Sequence, residues 1–281
     1  MQVGQVLTTG ILTDRVELSP LCAKGDDHLL PDRRTCRRKL TPIYRVTEES
    51  ICAVIEMQDV WKEYPNGTQA LNGISVQIQK GEFVYVVGPS GAGKSTFIKL
   101  MYREVRPTRG HIFVNGFNIE RLKDHKIPLL RRSIGVVFQD FKLLPKLTAA
   151  ENVAFALEVI GLSHKQIRKR VREVLTQVGL EDKMDMLPSQ LSGGEQQRVA
   201  VARSLANNPA VIIADEPTGN LDPDTSWGIM RLFQHINDRG TTIVMATHNR
   251  EIVNSMRRRV IAIENGMIVR DEEKGYYGYD E

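Results

Sequence analysis

A glycine-rich stretch, GPSGAGKST, runs from Gly88 to Thr96, between an apolar run and the start of an amphipathic segment. Its spacing fits G-x-x-x-x-G-K-[ST], a loop whose glycines let backbone N–H groups turn inward around phosphate oxygens. Lys94 would reach the β- and γ-phosphates of a nucleotide, and the Ser95 hydroxyl would ligate Mg²⁺. A chance glycine-rich turn is the alternative, which the flanking pattern disfavours. The residues expected to line the phosphates are Gly88, Pro89, Ser90, Gly91, Ala92, Gly93, Lys94, Ser95 and Thr96.

Two acidic residues, Asp215 and Glu216, end the apolar run VIIAD. A carboxylate at the end of a buried strand can face the phosphate loop, so we expect Asp215 to hold Mg²⁺ through water. The next side chain points elsewhere, which leaves Glu216 to polarise an attacking water molecule. The alternative is a solvated acidic turn before Pro217.

Polar side chains also end two other apolar runs, Gln139 after SIGVVF and His248 after TTIVMAT. Ligands bind at the carboxyl edge of open α/β sheets, so both residues would lie at the same edge as Lys94 and Asp215. Gln139 could contact Mg²⁺ and water, and His248 could contact the γ-phosphate or hold the water. The expected metal ligands are Ser95, Gln139 and Asp215, and the expected catalytic residues are Glu216, His248 and Gln139.

An aromatic residue precedes the glycine loop, Tyr64 in WKEYPNG. A ring at this point could stack on adenine, and packing in the core is the alternative.

A second glycine pair lies in LSGGE, Leu191 to Glu195. Ser192 and Glu195 have the spacing of a capping box, which predicts the start of a helix. Two glycines in a first turn each cost about 1 kcal/mol relative to alanine, so a simple cap would not require Gly193 and Gly194. A bare helix N-terminus suits an anion. We expect that this anion is the phosphate of a second chain, because the motif lies away from the segment that binds its own nucleotide.

The apolar runs around these residues predict buried strands, and the segments between them predict helices. VIEMQDVWKEY predicts an edge strand, and ALNGISVQIQKGE continues an antiparallel sheet. A helix is predicted to start at Phe97, and another spans residues 225–237. VIAIENGMIV predicts a terminal hairpin. Strands that alternate with helices give a three-layer α/β core.

Residues 140–206 predict a helical insert in this core. Thr148 with Glu151, and Ser163 with Gln166, have capping-box spacing. The segment after Ser163 has one apolar face and one basic face; the basic face is either solvated or a binding surface.

The motifs together resemble the ATP-binding cassette family from Val54 to Glu281. GPSGAGKST resembles Walker A, VFQD the Q-loop, LSGGEQQR the signature, VIIADE Walker B, NLD the D-loop and ATH the H-loop. The resemblance implies a P-loop NTPase core with an antiparallel β subdomain and an inserted α-helical subdomain. It also implies a head-to-tail homodimer that encloses two ATP molecules with Mg²⁺ between Walker A of one chain and the signature of the other. Asp222 would then lie at the dimer seam, and Glu195 replaces the usual glutamine of the signature.

Several stretches, among them PLLRRSIGVVFQDFKLLP and ENGMIVRDEEKGYYGYDE, resemble the cell-division branch of the family. That resemblance implies an integral membrane partner of the FtsX type, indirect control of peptidoglycan hydrolases, and a position on the cytoplasmic face of the membrane at the division septum. The alternatives are an export or lipoprotein-extraction ATPase of the MacB or LolD type, and a scaffold in which hydrolysis is incidental. The loop FKLLPKLT, residues 141–148, either receives a helix of the partner or packs within the insert.

The composition of the chain limits the partners and compartments that are expected for it. A net charge of +4 over 281 residues is too small to indicate nucleic-acid binding, so we expect no nucleic-acid partner. No apolar run approaches the roughly 18 residues of a membrane span. Three cysteines lie in the first 52 residues without metal-site spacing, which indicates a reducing compartment. We interpret residues 1–53 as a disordered tail, a translation start placed too far upstream, or a basic arm that contacts anionic lipid; residues 54–281 form the cassette.

Overall fold

The computed structural model describes residues 53–278. The predicted N-terminal extension lies outside the described residues except for Ala53, as do all three cysteines. The strands are β1 Ala53–Glu63, β2 Gln69–Gln79, β3 Phe83–Val87, β4 Arg109–Val114, β5 Phe117–Asn118, β6 Ile134–Phe138, β7 Val211–Asp215, β8 Thr242–Ala246, β9 Arg259–Glu264 and β10 Met267–Glu272. The helices are α1 Lys94–Met101, α2 Ile127–Arg132, α3 Ala149–Glu158, α4 His164–Gln177, α5 Gly193–Leu205, α6 Pro223–Asp238 and α7 Arg250–Met256. Among residues 53–278, no helix combines the length and the apolar character that crossing a membrane requires.

A six-stranded sheet with the order β10-β9-β3-β8-β7-β6 forms the centre of the cassette. The pairs β3–β8, β3–β9, β7–β8 and β6–β7 are parallel, and β9–β10 is the predicted antiparallel hairpin. In β3, Phe83, Tyr85 and Val87 pack in one apolar cluster, and Val84 and Val86 pack in another on the opposite face. Burial on both faces is the reason that this strand is apolar throughout. The predicted three-layer core is confirmed.

The second sheet is antiparallel and has the order β2-β1-β4-β5. The prediction that β1 is an edge strand is wrong, because β1 pairs with both β2 and β4. The alternation along β1 showed that one face is buried, which says nothing about how many of the strand's edges are paired.

Helix α1 begins three residues before the predicted start at Phe97, with Lys94 as its first residue. It also ends early, at Met101, because Arg103 adopts a left-handed backbone with φ of 59°. A residue in that conformation cannot continue a right-handed helix.

The segment 140–206 contains three helices, α3, α4 and α5. Thr148 and Glu151 form a complete capping box at the start of α3, as Ser163 and Gln166 do at the start of α4. The apolar face of α4 is buried, and its basic face is largely exposed. Helix α5 contacts α3 and α4 and also β6 of the central sheet, so a single helix joins the insert to the core.

Candidate functional site

The backbone of the glycine loop lies directly against β9 and the start of β2. Gly88 and Gly93 have φ of 144° and 108°, a region that side chains disfavour. A Cβ atom at Gly88 would be 2.0 Å from the Ile263 carbonyl oxygen, and one at Gly93 would be 2.4 Å from the Ala70 carbonyl oxygen. Only glycine fits at these two points, so the loop follows a fixed path whose other side is open to a ligand.

The tip of the β9–β10 hairpin is hydrogen-bonded to the same loop. The Gly266 N–H donates to the Ala92 carbonyl at 3.0 Å. Asn72 holds the tip, because its backbone N–H donates to the Gly266 carbonyl at 2.8 Å and its side-chain Nδ2 donates to the Asn265 carbonyl at 2.7 Å. These supporting residues are far from the loop in sequence, and sequence reasoning missed them. The dipeptide Asn265-Gly266 predicts a turn, but not what the turn touches.

The start of α1 presents donors that an anion could accept. Gly93 caps the helix and has no side chain to accept hydrogen bonds from the first-turn N–H groups. The Lys94 ammonium donates to the Gly88 carbonyl at 2.8 Å and to the Pro89 carbonyl at 2.9 Å. Lys94 therefore lies folded over its own loop, with its charge beside the helix N-terminus. This arrangement suits a phosphate group.

Tyr64 lies next to the glycine loop and is half-buried. Its hydroxyl is 3.2 Å from Thr96 Oγ1, and the Lys62 ammonium lies 5.0 Å from the ring centre. The ring is thus placed beside the loop, and its stacking on a base stays a prediction.

Three strand ends bring the predicted polar residues to one edge of the central sheet. Asp215 is opposite Phe138 on one side and Ala246 on the other. Gln139 and Thr247, the residues that come directly after these two neighbours, therefore lie at the same edge of the sheet. Burial raises the pKa of Asp215, and the neighbouring carboxylate of Glu216 raises it further, while Lys99 and Lys94 oppose that rise. A carboxylate in such a place would be stabilised by a cation.

Glu216 and His248 form an ion-pair contact, with His248 Nδ1 2.8 Å from Glu216 Oε2. The backbone N–H of His248 lies 3.3 Å from the same oxygen. Glu216 has φ of 51°, and its N–H donates to the Ala246 carbonyl at 2.9 Å, so the chain leaves the extended strand conformation at this residue. The Glu216 side chain is only 18% exposed, whereas the His248 side chain is 67% exposed. The imidazole of this pair is therefore largely exposed to solvent, whereas the carboxylate is largely buried.

Gln139 is held by Asn220, a residue that sequence reasoning did not assign to the site. Gln139 Nε2 donates to Asn220 Oδ1 at 3.2 Å, and Asn220 Nδ2 donates to the Gln139 carbonyl at 3.1 Å. A Cβ atom at Gly219 would be 2.8 Å from the Gln139 amide nitrogen. This orientation engages the amide nitrogen and keeps the amide oxygen as the group that could ligate a cation.

The oxygens of Ser95, Gln139 and Asp215 are ligands of the kind that Mg²⁺ prefers, since it is a hard cation. Among residues 53–278, no group of three or more His, Cys, Asp or Glu could hold a metal ion. Mg²⁺ usually binds through one or two protein ligands together with substrate phosphates and water, and the residues present fit that pattern.

The N-terminus of α5 has the predicted capping box. The Ser192 hydroxyl accepts from the Glu195 N–H at 3.4 Å, and Glu195 Oε2 accepts from the Ser192 N–H at 2.8 Å. Glu195 also pairs with Lys183, and that hydrogen bond is the main reason that the pKa of Glu195 is lowered to about 2. The Glu195 carboxylate thus orders its own helix start, while Ser192 and Gly193 are exposed.

The two glycines of LSGGE have different surroundings. Gly194 is buried, and a Cβ atom there would be 2.3 Å from Thr225 Cγ2 on α6. A Cβ atom at Gly193 would meet only ordinary contacts, the nearest 3.4 Å away at Leu221 Cδ2. Close packing against α6 is a sufficient reason for glycine at position 194, and the expectation that both glycines serve an anion stays a prediction. Gly193 alone is unexplained by packing.

Asp222 caps α6, with its Oδ1 accepting from the Thr225 N–H at 3.0 Å. Its side-chain hydrogen bond to Thr225 lowers its pKa. Asp222 is exposed, and its place at a dimer seam stays a prediction.

Comparison with known proteins agrees with this geometry. The model of the ABC transporter family matches residues 71–219. The cell division ATP-binding protein FtsE of Bacillus subtilis (strain 168) is 67% identical over 228 residues, which cover 81% of this chain and 100% of that protein. FtsE of Escherichia coli (strain K12) is 47% identical over 213 residues, which cover 76% of this chain and 96% of that protein.

A solved structure has the same fold, the dimeric post-hydrolysis state of the ATP-binding cassette MJ0796 bound to ADP and Pi. It superposes with a TM-score of 0.72 at 38% identity, and covers 79% of this chain and 100% of that chain. These matches confirm the resemblance that the motifs indicated. The chain belongs to the ABC transporter family and, within it, to the cell division ATP-binding proteins FtsE.

Proposed function

We propose that this protein binds and hydrolyses ATP, and that it is the ATPase subunit of a membrane complex in bacterial cell division. The observation that carries the proposal is the Glu216–His248 pair at 2.8 Å. It lies at the same sheet edge as Asp215, which is buried and feels the charge of Lys94 in the phosphate loop. A sheltered carboxylate beside an imidazole can orient and polarise water next to a bound γ-phosphate.

Each group at this edge has a role in hydrolysis. Lys94 and the N–H groups of residues 88–96 bind the phosphates, and Tyr64 stacks on adenine. Ser95, Asp215 and Gln139 would hold Mg²⁺, which would neutralise charge on the phosphates when bound. Glu216 polarises the attacking water, and His248 holds the γ-phosphate or that water. Positioning and electrostatic stabilisation account for most of the catalysis in this class of reaction.

The active form is a head-to-tail homodimer that closes on two ATP molecules. Its support is the exposed helix start at Ser192 and Gly193, which offers N–H groups and a hydroxyl without serving the loop of its own chain. The MJ0796 cassette, 38% identical, is dimeric in its solved structure. In the dimer, Ser192, Gly193 and the N–H of Gly194 contact the γ-phosphate bound to the partner, Glu195 orders that helix start, and Asp222 lies at the seam.

The loop after Gln139 receives a cytoplasmic helix of the membrane partner. Phe141 and Lys142 have left-handed backbones, with φ of 58° and 48°, and Arg203 donates to both of their carbonyls, at 2.9 Å and 2.6 Å. The buried Asn152 fixes the next part of the loop, because it accepts from the Leu144 N–H and donates to the carbonyls of Leu144, Leu147 and Thr148.

The side chains of this loop divide between packing and exposure. Leu143 packs against the apolar core, whereas Leu144 is 36% exposed. A rigid loop that presents an apolar side chain suits a docking role. Leu144→Asp should leave the fold intact and abolish binding of the membrane partner; a folded variant that is still recruited would show that the loop only packs the insert.

The membrane partner is an integral protein of the FtsX type. The complex works on the cytoplasmic face of the membrane at the division septum, and ATP-driven closure reaches peptidoglycan hydrolases through that partner. The identity with FtsE proteins over nearly their whole length supports this role. An export or lipoprotein-extraction ATPase of the MacB or LolD type is the alternative, since it would use the same site.

One experiment separates these roles. Tagged Glu216→Gln protein is expressed in native cells, crosslinked in its ATP-closed state, and the co-purified membrane protein is identified. An FtsX-like protein with septal components supports the proposal. A permease with a periplasmic adaptor, or a lipoprotein-handling pair, would refute the division role and retain only the ATPase. If cells that carry Glu216→Gln divide as well as the parent cells, the result would instead indicate a scaffold.

A further inference from the structure

Among the last described residues, 275–278, Tyr276 and Tyr277 contact residues at the two ends of α7. The Tyr277 N–H donates to Asn254 Oδ1 at 2.6 Å, and the Tyr277 ring lies 5.2 Å from the Arg250 guanidinium carbon. Arg250 and Asn254 are one helical turn apart, so Tyr277 covers the first turn of α7. We name residues 275–278 the tail strap.

The tail strap is also anchored at the other end of the helix. The Tyr276 ring lies 4.8 Å from the guanidinium carbon of Arg257, which is the left-handed C-cap of α7. Arg270 of β10 donates to the Tyr276 carbonyl, and the Gly275 N–H donates to the Arg258 carbonyl at 3.2 Å. Tyr277 itself packs against the apolar core. The strap is therefore a bound element of the fold over residues 275–277.

Helix α7 begins two residues after His248. Asn249 caps it by accepting from the Ile252 N–H at 3.1 Å, and the Asn249 N–H donates to Thr247 Oγ1 at 3.1 Å. The backbone on both sides of His248 is thus tied to β8 and to the first turn of α7. We expect a displacement of that first turn to move the imidazole relative to Glu216.

The helix needs support from outside itself. It has seven residues, of which Ile252 and Val253 are buried, and a helix of about two turns is unstable in isolation. The strap adds a hydrogen bond and two contacts between arginine and aromatic rings, each a recognised attractive interaction. The contact nearest to His248 along the chain is the one at Arg250, the first residue of α7.

We propose that Tyr277 is a positioning residue for His248: through Arg250 and Asn254, the C-terminal strap sets the imidazole against Glu216. This inference rests on the proposed role of His248 in hydrolysis. The described contacts of Tyr277 are with Arg250, Asn254 and the apolar core, so it should act on the rate of the chemical step and not on ATP affinity.

The test uses the full chain and two variants. Tyr277→Ala removes the ring over Arg250, and Asn254→Ala removes the acceptor of the Tyr277 N–H. Alanine favours a helix more than asparagine does, so a loss of activity in Asn254→Ala cannot be attributed to unravelling of α7. Tyr277→Phe keeps the ring and the N–H and is the matched control.

We expect Tyr277→Ala to lower kcat about tenfold with an unchanged KM for ATP, because small displacements of a catalytic group are costly. Tyr277→Phe should match the parent. In a His248→Ala background, Tyr277→Ala should have no further effect on kcat, since the two residues act through one step. Equal losses of kcat in both backgrounds would show general destabilisation and overturn the proposal.

A measurement independent of activity completes the test. In protein with isotope-labelled histidine, the imidazole NMR signal of His248 is assigned from its absence in His248→Ala. Tyr277→Ala and Asn254→Ala should shift that signal, and Tyr277→Phe should not. An unmoved His248 signal in both alanine variants overturns the proposal, whether or not their melting temperatures fall. If the parent lacks ATPase activity, the proposed function fails while this signal still decides whether the strap positions His248.

Discussion

A Cβ atom at Gly194 would lie 2.3 Å from Thr225 Cγ2, so α5 and α6 approach each other at a point where only glycine fits. Gly193, its neighbour, has no such constraint. One glycine of the pair is thus required by the packing of its own chain, and packing gives no reason for the other.

The glycine pair can be separated by mutation. Gly194→Ala should destabilise the protein by about 1–3 kcal/mol through overpacking, measured by thermal or denaturant unfolding. Adding Thr225→Ser, which removes the offending methyl group, should recover most of the loss. Gly193→Ala should unfold like the parent but fail to dimerise with ATP, measured by size-exclusion chromatography. Normal dimerisation of Gly193→Ala would contradict the proposed contact with the partner's nucleotide.

Glu216→Gln should keep ATP binding and lose hydrolysis. The amide preserves the shape of the side chain but cannot polarise water, so kcat should fall about 10²–10³-fold while the affinity for ATP changes little. Phosphate release and nucleotide binding, measured on the same preparation, check the two parts. Glu158→Gln, an exposed carboxylate at the end of α3, is the matched control and should retain full activity.

Lys94→Ala should weaken ATP binding without changing the stability of the nucleotide-free protein. The ammonium donates to the half-buried Gly88 carbonyl and the exposed Pro89 carbonyl, so its removal should cost the fold little. Loss of its charge-assisted contact to phosphate should reduce affinity by about 10²-fold. Melting curves with and without ATP test both statements, and a lower melting temperature without ATP would refute the first.

Asp215→Asn should stabilise the nucleotide-free protein and abolish Mg²⁺-dependent hydrolysis. The folded-state pKa of Asp215 is raised above its ordinary value of 3.8, mainly by burial. Its protonated form is favoured by folding, so this contribution to stability is complete below the ordinary value and is lost as the pH rises through the folded value.

Asparagine carries no charge at any pH, so the variant does not lose stability through deprotonation at position 215. At about pH 8 the variant should melt at a higher temperature than the parent, and at about pH 4 the difference should shrink. A difference that does not depend on pH would indicate a cause other than the charge of Asp215.

The elements that could be predicted from sequence are those whose signal is local. Residues 83–87 are apolar because both faces of β3 are covered, and the boxes at Thr148, Ser163 and Ser192 follow from a spacing of three. The relations that could not be predicted join distant segments. The second neighbour of β1, the contact of Gly194 with Thr225, and the pairing of Gln139 with Asn220 leave no periodicity in the chain. The sequence shows the types of these residues, but it does not show which residues they contact.

The strand before the phosphate loop has as its two neighbours β8 and β9, and the loop rests on Gly266 through the Ala92 carbonyl. All three supports lie far later in the chain. During synthesis on the ribosome, the glycine loop emerges early, yet these three supports do not exist until the chain has passed Gly266. A nascent or truncated chain that ends before this point has the nucleotide motif without its framework. We therefore expect ATP capture only after the segment up to Gly266 has been synthesised.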